Sequence, residues 1–272
     1  MLILAATPIG NLGDASRRLV EALETVTVVA AEDTRTTQRL LSALGVSNRP
    51  RLIALHDHNE RQRAGDVVAL AESGDVLLLS DAGMPTVSDP GYAAVTEAIA
   101  RGVRVSVLPG PSAVLAALAV SGLATDRFAF EGFVARKDGE RRSALARLAT
   151  EPRTTVHFEA PSRIARTMAD MAEAFGGGRR AAVCRELTKL HEEVVRGTLA
   201  ELAEWAQDGV RGEIVIVVDG APPVAASLED AVVRVLDLVT EGVRLKEAAG
   251  SVATDTGLSS RELYQAALAA RG

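Results

Sequence analysis

Residues 1–35 read MLILAATPIGNLGDASRRLVEALETVTVVAAEDTR. A short apolar run at Leu2–Ala6 leads into a turn rich in Gly and Pro, then a helix-period segment at Ala15–Glu24 and a second β-branched run at Val26–Ala30. That spacing is what a parallel crossover needs, because parallel neighbours cannot be joined by a tight hairpin. The rhythm continues with strands predicted at Leu52–Leu55, Val76–Leu79 and Val103–Val107, separated by helical stretches at Thr36–Leu44 and Glu60–Glu72. A helix over 111–121 is expected to open with Pro111, a favoured first-turn residue. Residues 1–124 therefore read as an α/β lobe around a mostly parallel sheet.

Beyond Gly122 the pattern changes, and a lobe boundary is placed near Thr125. Strands are predicted at Phe128–Glu131, Thr154–Phe158, Ala181–Arg185, Glu193–Arg196 and Glu213–Val218, with helices at Ser162–Phe175 and Leu199–Gln207. The close spacing around 181–196 predicts antiparallel pairing, so residues 125–220 read as a second α/β lobe with a mixed sheet. Pro222 and Pro223 mark a linker to a helical tail over 221–272. Within it, Leu228–Val239 is amphipathic, and RLKEAAGSVATDTGLSSRELYQAALA (244–269) has the helix, Gly257 turn, Ser259 cap and helix of a helix-turn-helix pattern. Its charges are mixed rather than basic, which favours a packing role over nucleic-acid contact.

The composition of the 272 residues is ordinary for a globular chain, with 47% apolar and 24% charged residues. Aromatics are only 3%, so the core must be built from Ala, Val, Leu and Ile, and an aromatic RNA-stacking platform is not expected. A formal charge of −6 argues against indiscriminate coating of nucleic acid. Against that background Arg136, Lys137, Arg141 and Arg142 form a local cationic cluster suited to RNA phosphates. The start, MLILAATPIG, lacks a charged segment ahead of a long apolar run, and no stretch approaches the ~18 apolar residues of a membrane span. A cytoplasmic protein is the expectation. Cys184 is the one cysteine, which excludes an internal disulfide and suits a reducing compartment; it reads as a small buried hydrophobe.

In open α/β sheets ligands sit beyond the carboxyl ends of the strands. Three loops there are unusual. TPIGNLGDAS crowds Pro8, Gly10 and Gly13 into a helix entry expected to be capped by Asp14, and it is not the GxGxxG of a dinucleotide site. SDAGMPTVSDPG (80–91) holds two Asp, two Pro and two Gly, a composition that brings backbone close to a ligand. LPGPSA follows the fifth strand, so that Ser112 and Ala113 offer helix-start amides to the crevice.

Taken with AEDTR (31–35), FEAPSR (158–163) and ELTKLHEE (186–193), these loops make the chain resemble the tetrapyrrole-methylase superfamily. Within it the set is similar to the small-subunit ribosomal RNA cytidine 2′-O-methyltransferases, from Leu2 to about Gly220, with a familiar tail. The resemblance implies a two-lobed tetrapyrrole-methylase-like fold, S-adenosylmethionine bound between the lobes, a homodimer, and a cytidine of the decoding region of the small ribosomal subunit as target. It also implies that Gly83, Met84 and Pro85 line the methionine end of the cofactor. Met84 replaces the Asp of the tetrapyrrole enzymes, so no carboxylate contact is carried over there. Val87, Ser112 and Ala113 match positions around the ribose and carboxylate. Phe158, Glu159, Leu187 and Thr188 match positions near the adenine, and Pro8 and Ile9 match the loop on the acceptor side.

A ribose 2′-hydroxyl is a weak nucleophile, and a neighbouring base or cation would activate it. Candidates are Asp33, Arg35, His56, His58, Lys189, His191, Glu192 and Glu193, with Lys189 and Glu192 assigned to the reacting hydroxyl and Asp33 and Arg35 as the further catalytic pair. No metal is expected, since His56 and His58 lack an evident third ligand. The competing readings are a C-methylating enzyme of porphyrinoid biosynthesis, a nucleotide-dependent oxidoreductase, and a non-catalytic ribosome-assembly factor that binds RNA.

Overall fold

The computed structural model describes residues 1–56, 58–222 and 227–271. Five strands, β1 (Leu2–Ala5), β2 (Val28–Ala31), β3 (Arg51–Ala54), β4 (Val76–Leu79) and β5 (Val105–Leu108), form a parallel sheet in the order β3-β2-β4-β1-β5. The helices between them are α1 (Arg17–Thr25), α2 (Thr34–Ala43), α3 (Glu60–Ser73) and α4 (Tyr92–Ala100). They cover both faces, which is why the central strand β4, VLLL, is buried at every position. Leu2, Leu4, Val76 and Leu78 pack on one side with Val67, Val68, Ala94 and Ala98. Ala5, Leu77 and Leu79 pack on the other with Leu19, Leu23 and Leu41.

The strand order reverses around β1 and β4, which pair in register from Leu2 with Val76 to Ala5 with Leu79. Such a reversal opens a crevice at the carboxyl ends. The loops after β4, β1 and β5 emerge there side by side, and those three are the loops singled out in the sequence.

The second sheet holds β6 (Phe128–Phe133), β7 (Thr154–Glu159), β8 (Arg180–Arg185), β9 (Glu193–Thr198) and β10 (Ile214–Val218), ordered β6-β7-β10-β8-β9. Only β6 and β7 run parallel, so the sheet is mixed as expected. One face is covered by α6 (Asp138–Leu148), α7 (Ile164–Phe175) and α8 (Leu199–Trp205), burying Leu145, Met168, Met171 and Leu202. The other receives α5 (Ala113–Ser121), whose Val114, Ala117 and Leu118 pack on Val156, Val215 and Val217. Residues 1–220 thus form one compact unit.

The tail is a second unit of α9 (Leu228–Thr240), α10 (Leu245–Thr256) and α11 (Ser260–Ala270) around Ala231, Val235, Ala249, Val252 and Leu263. Gly257 ends α10 in the left-handed conformation, and the Ser259 hydroxyl accepts from the amide of Glu262 to start α11. Pro223 of the expected linker lies outside the described residues. Among the described residues no helix is long and apolar enough to cross a membrane.

Two caps differ from expectation. Ser16, not Asp14, caps α1, because its hydroxyl sits three residues before the amide of Leu19; Asp14 lies in a short 3-10 turn that Asn11 caps. Likewise α5 begins after Pro111, with Ser112 as its cap.

Candidate cofactor and active site

The loops after β1 and β4 are tied by a two-way backbone bridge. The amide of Thr7 donates to the carbonyl of Gly83 at 2.9 Å and the amide of Gly83 returns to Thr7 at 3.1 Å. Gly83 sits at φ +83°, where a Cβ would be strained. The Ser80 hydroxyl donates to the Gly83 carbonyl at 3.1 Å, and Glu60 accepts from the amide of Gly91 at 2.5 Å. Within that fixed frame Thr86 and Ser88 adopt φ of +75° and +62°.

Across the crevice, in the loop between β8 and β9, Glu186 and Thr188 adopt φ of +50° and +68°. These four are the positive-φ residues other than glycine among those described, and Thr in that region is unfavourable. Strain of this kind persists where surrounding contacts impose it, and it gathers at ligand sites. Here both strained loops border one cavity of about 600 Å³, a volume typical of a small-molecule site.

The cavity wall is largely apolar, with Ile9, Val87, Val114, Phe158, Leu187 and Val215. Three of its charged side chains, Glu186, Lys189 and Glu213, meet at one place. Lys189 Nζ lies 2.9 Å from Glu186 Oε1 and 3.1 Å from Glu213 Oε2. The lysine stem crosses Gly10, where any side chain would collide with it. Burial pulls the Lys189 pKa down, but hydrogen bonds and charge from Glu186 and Glu213 outweigh this and hold it above the ordinary 10.5. The ammonium is therefore charged at neutral pH. Glu186 lies below the ordinary carboxylate range, chiefly because it accepts the amide of Glu213 and then because of Lys189.

Residues 1–203 match the family model of Tetrapyrrole (Corrin/Porphyrin) Methylases, and residues 226–271 match the model described as RsmI C-terminal HTH domain. This chain belongs to the tetrapyrrole methylase family. Within the family it groups with proteins named ribosomal RNA small subunit methyltransferase I. The one from Mycobacterium tuberculosis is 50% identical over 272 residues, covering 99% of this chain and 95% of the relative. That from Pseudomonas aeruginosa is 46% identical, covering 100% and 98%. Solved structures of diphthine synthase (TM-score 0.59, 18% identity, 80% of this chain and 89% of that one) and of the methyltransferase CobJ (0.60, 20%, 81% and 94%) share the fold.

The methylase positions carried over from the sequence fall unevenly around the cavity. Ile9, Gly83, Met84, Val87, Ser112, Ala113, Phe158, Glu159 and Leu187 line it; Pro8 and Pro85 stand beside lining residues without lining it. Thr188 adjoins Leu187, and its Oγ1 is the one buried side-chain polar atom without a partner among the described residues. An unsatisfied hydroxyl beside an apolar cavity fits a bound molecule that carries hydrogen-bonding groups, as S-adenosylmethionine does. Glu159 is fully engaged by Arg163, by the Thr167 hydroxyl at 2.5 Å and by the Ala160 amide at 2.6 Å, which makes it part of the frame.

Of the catalytic candidates, only Lys189 lines the cavity. Glu192 stands outside the cavity lining, where its carboxylate accepts the amide of Thr188 at 2.6 Å and ties the loop. Asp33 caps α2 and grips Arg35 through Oδ1 at 3.1 Å and Oδ2 at 2.8 Å. Hydrogen bonds from that side chain and amide hold its pKa at about 2, so it is a poor proton acceptor. Glu193 pairs with Arg185 at 2.5 Å, His191 is exposed, and His56 faces His58 with ring centroids 6.1 Å apart, all outside the cavity.

In the expected phosphate cluster, Arg141 is corrected outright. It is 2% exposed and bonded to Asp170 at 2.6 Å, so no phosphate reaches it. Arg142 shares Asp170 at 3.2 Å and Lys137 pairs with Glu140 at 2.9 Å, while Arg136 stands exposed. Sequence reasoning missed Glu186 and Glu213. They become neighbours because β8 and β10 pair antiparallel with Arg185 opposite Ile214, a register that would have identified them had it been assigned.

Proposed function

We propose that this chain transfers the methyl group of S-adenosylmethionine to the ribose 2′-hydroxyl of a cytidine in the decoding region of small-subunit ribosomal RNA. What carries this reading is full-length identity of 50% to a protein named for small-subunit ribosomal RNA methylation, on a chain whose strained loops enclose a cavity of suitable size. When bound, S-adenosylmethionine supplies a methyl group already activated by its positive sulfur. The protein must then align an oxygen with it and keep water out. Gly83, Met84 and Val87, with the amides that open α5 at Ser112 and Ala113, hold the methionine end, where a helix start favours a carboxylate. Phe158, Leu187 and Thr188 hold the adenosine end, and the apolar wall excludes water. Lys189 keeps its charge beside the acceptor, lowering the cost of a developing alkoxide, and Glu213 on the same ammonium is placed to receive the hydroxyl proton.

The two lobes, 1–124 and 125–220, carry this chemistry, and the tail at 221–272 is an accessory helical domain. A ribosomal substrate puts the protein in the cytoplasm. Methyl transfer to small subunits followed by mass mapping of ribose methylation tests the assignment, with Ala113→Phe as control. That variant should abolish cofactor binding by calorimetry while the melting temperature stays within a few degrees. Ala113 is a better site for it than Gly83, where the positive φ would add backbone strain to any packing effect. Transfer to a porphyrinoid, or no uptake of cofactor, would replace the assignment.

A second copy of the chain is the assigned partner. Large apolar side chains stay exposed on the edge strand β5 (Val107, 47%), on α4 (Tyr92, 71%; Ile99, 65%) and on α5 (Leu115, 56%). Sedimentation at micromolar concentration should give twice the chain mass, and a monomer there removes the dimer.

A further inference from the structure

Three of the five phenylalanines, Phe130, Phe133 and Phe158, meet at the rim of the cavity. Phe130 and Phe133 approach the Phe158 ring steeply, with centroids 4.9 and 5.3 Å away. Phe133 is nonetheless 63% exposed. Simple alternation along β6 would turn it away, because Phe128 and Phe130 share a face opposite Thr154 and Val156. A register shift between Phe130 and Gly132 inserts Glu131, with Gly132 at φ +71°, and so brings Phe133 opposite Phe158 on the cavity face. Bulges beside active sites re-aim side chains in this manner.

One exposed aromatic needs no explanation by itself, but this one separates two concavities. Phe133 and Ala160 line the cavity described above and also a second one of about 580 Å³, with Ala135, Arg136, Ser162 and Arg163. Arg163 is committed to Glu159 and to the carbonyl of Val134 at 3.1 Å. Arg136 is exposed, and among the described residues its guanidinium pairs with no carboxylate. An accessible aromatic ring, a hydroxyl and an unpaired guanidinium on one wall are the chemistry that recognises a splayed-out nucleotide, base on the ring and phosphate on the cation.

We propose that the second concavity is the subsite for the acceptor nucleotide, its pyrimidine base stacked on Phe133 and its phosphate held by Arg136. The ribose then lies where the two concavities join. This rests on the RNA methyltransferase reading above. It also reverses the expectation from composition, since a low aromatic content does not prevent three rings from gathering at one place.

The test uses the full chain with Phe133→Ala, Phe133→Leu, Phe133→Trp and Arg136→Gln. Three quantities are measured: affinity for a short cytidine-containing single-stranded RNA, affinity for S-adenosylmethionine, and KM and kcat on small subunits. Phe133→Ala and Phe133→Leu should each weaken the oligonucleotide and raise KM by about tenfold or more, while Phe133→Trp restores both. Cofactor affinity should stay within about twofold, since only the RNA uses the ring's exposed face. Arg136→Gln should weaken RNA and reduce its salt dependence by about one contact. Wild-type RNA affinity in Phe133→Ala overturns the subsite. So does full activity in Phe133→Leu, which would make the ring mere apolar packing, or a cofactor loss equal to the RNA loss, which would make it a wall of the cofactor cavity. Failure of the underlying reading is seen in the wild type itself, as no methyl transfer to RNA, and the subsite falls with it.

Discussion

Lys189→Met should lower kcat on small subunits by roughly 10²–10³-fold, the usual effect of removing one group aimed at developing charge. KM for RNA and the affinity for S-adenosylmethionine should change little, because the ammonium acts on the acceptor oxygen rather than on either ligand's binding groups. Lys189→Arg should recover only part of the rate. It keeps the cation, but a planar guanidinium does not replace an ammonium whose stem lies across Gly10 between two carboxylates. The pH dependence follows from the raised pKa. A lysine whose folded pKa exceeds 10.5 is fully charged below that value, and its contribution is lost only as pH rises through the folded pKa. The wild-type and Lys189→Met rate profiles should thus run parallel through the acid and neutral range and converge only in strong alkali. Glu192→Gln should be nearly silent by comparison, since a glutamine oxygen can still accept the amide of Thr188. Wild-type turnover in Lys189→Met would leave alignment as the whole of the chemistry.

The fold was legible wherever burial is carried by apolar side chains. Every strand expected from the sequence occurs, each within a residue or two of its predicted ends, because short continuous apolar runs such as VLLL and IVIVV, bounded by turn residues, are too short for a buried helix. Two helices had no such signal. In α4, YAAVTEAIA, the buried positions are Ala94 and Ala98, whose small side chains give little hydrophobic contrast. In α6, DGERRSALARL, the inward pair is Arg141 and Leu145, so an ion pair stands where the helical period should show an apolar residue.

The same distinction applies to the site. Gly, Pro and Ser in the 80–91 and 108–113 loops mark where backbone must turn sharply beside strand ends, and those loops do line the cavity. Thr86, Ser88, Glu186 and Thr188 carry no mark, since their residue types ordinarily avoid positive φ and only the folded frame imposes it. The charges around Lys189 were equally hidden, because they come together through strand register rather than sequence spacing.

Replacing Arg141 with Ala should destabilise the 1–220 unit by about 3–5 kcal/mol, as breaking a buried pair from one side usually does. Arg141 donates to Asp170 at 2.6 Å and to Asp138 at 3.1 Å, and Asp170 is itself only 6% exposed. Removing the guanidinium leaves a buried carboxylate whose remaining ion-pair partner is Arg142, 64% exposed and 3.2 Å away. Asp170→Ala should cost less, since the buried arginine keeps Asp138 at 3.1 Å as an ion-pair partner. The paired replacement Arg141→Met with Asp170→Leu should regain most of the loss, since an apolar pair needs no desolvation. Chemical denaturation monitored by circular dichroism reads all four proteins. RNA affinity measured well below the unfolding midpoint should be unchanged in Arg141→Ala, in contrast to Arg136→Gln, because a side chain 2% exposed offers no phosphate contact. If Arg141→Ala kept the wild-type midpoint but bound RNA more weakly with a shallower salt dependence, the arginine would have to leave Asp170 when RNA arrives, and the cluster first read from the sequence would stand after all.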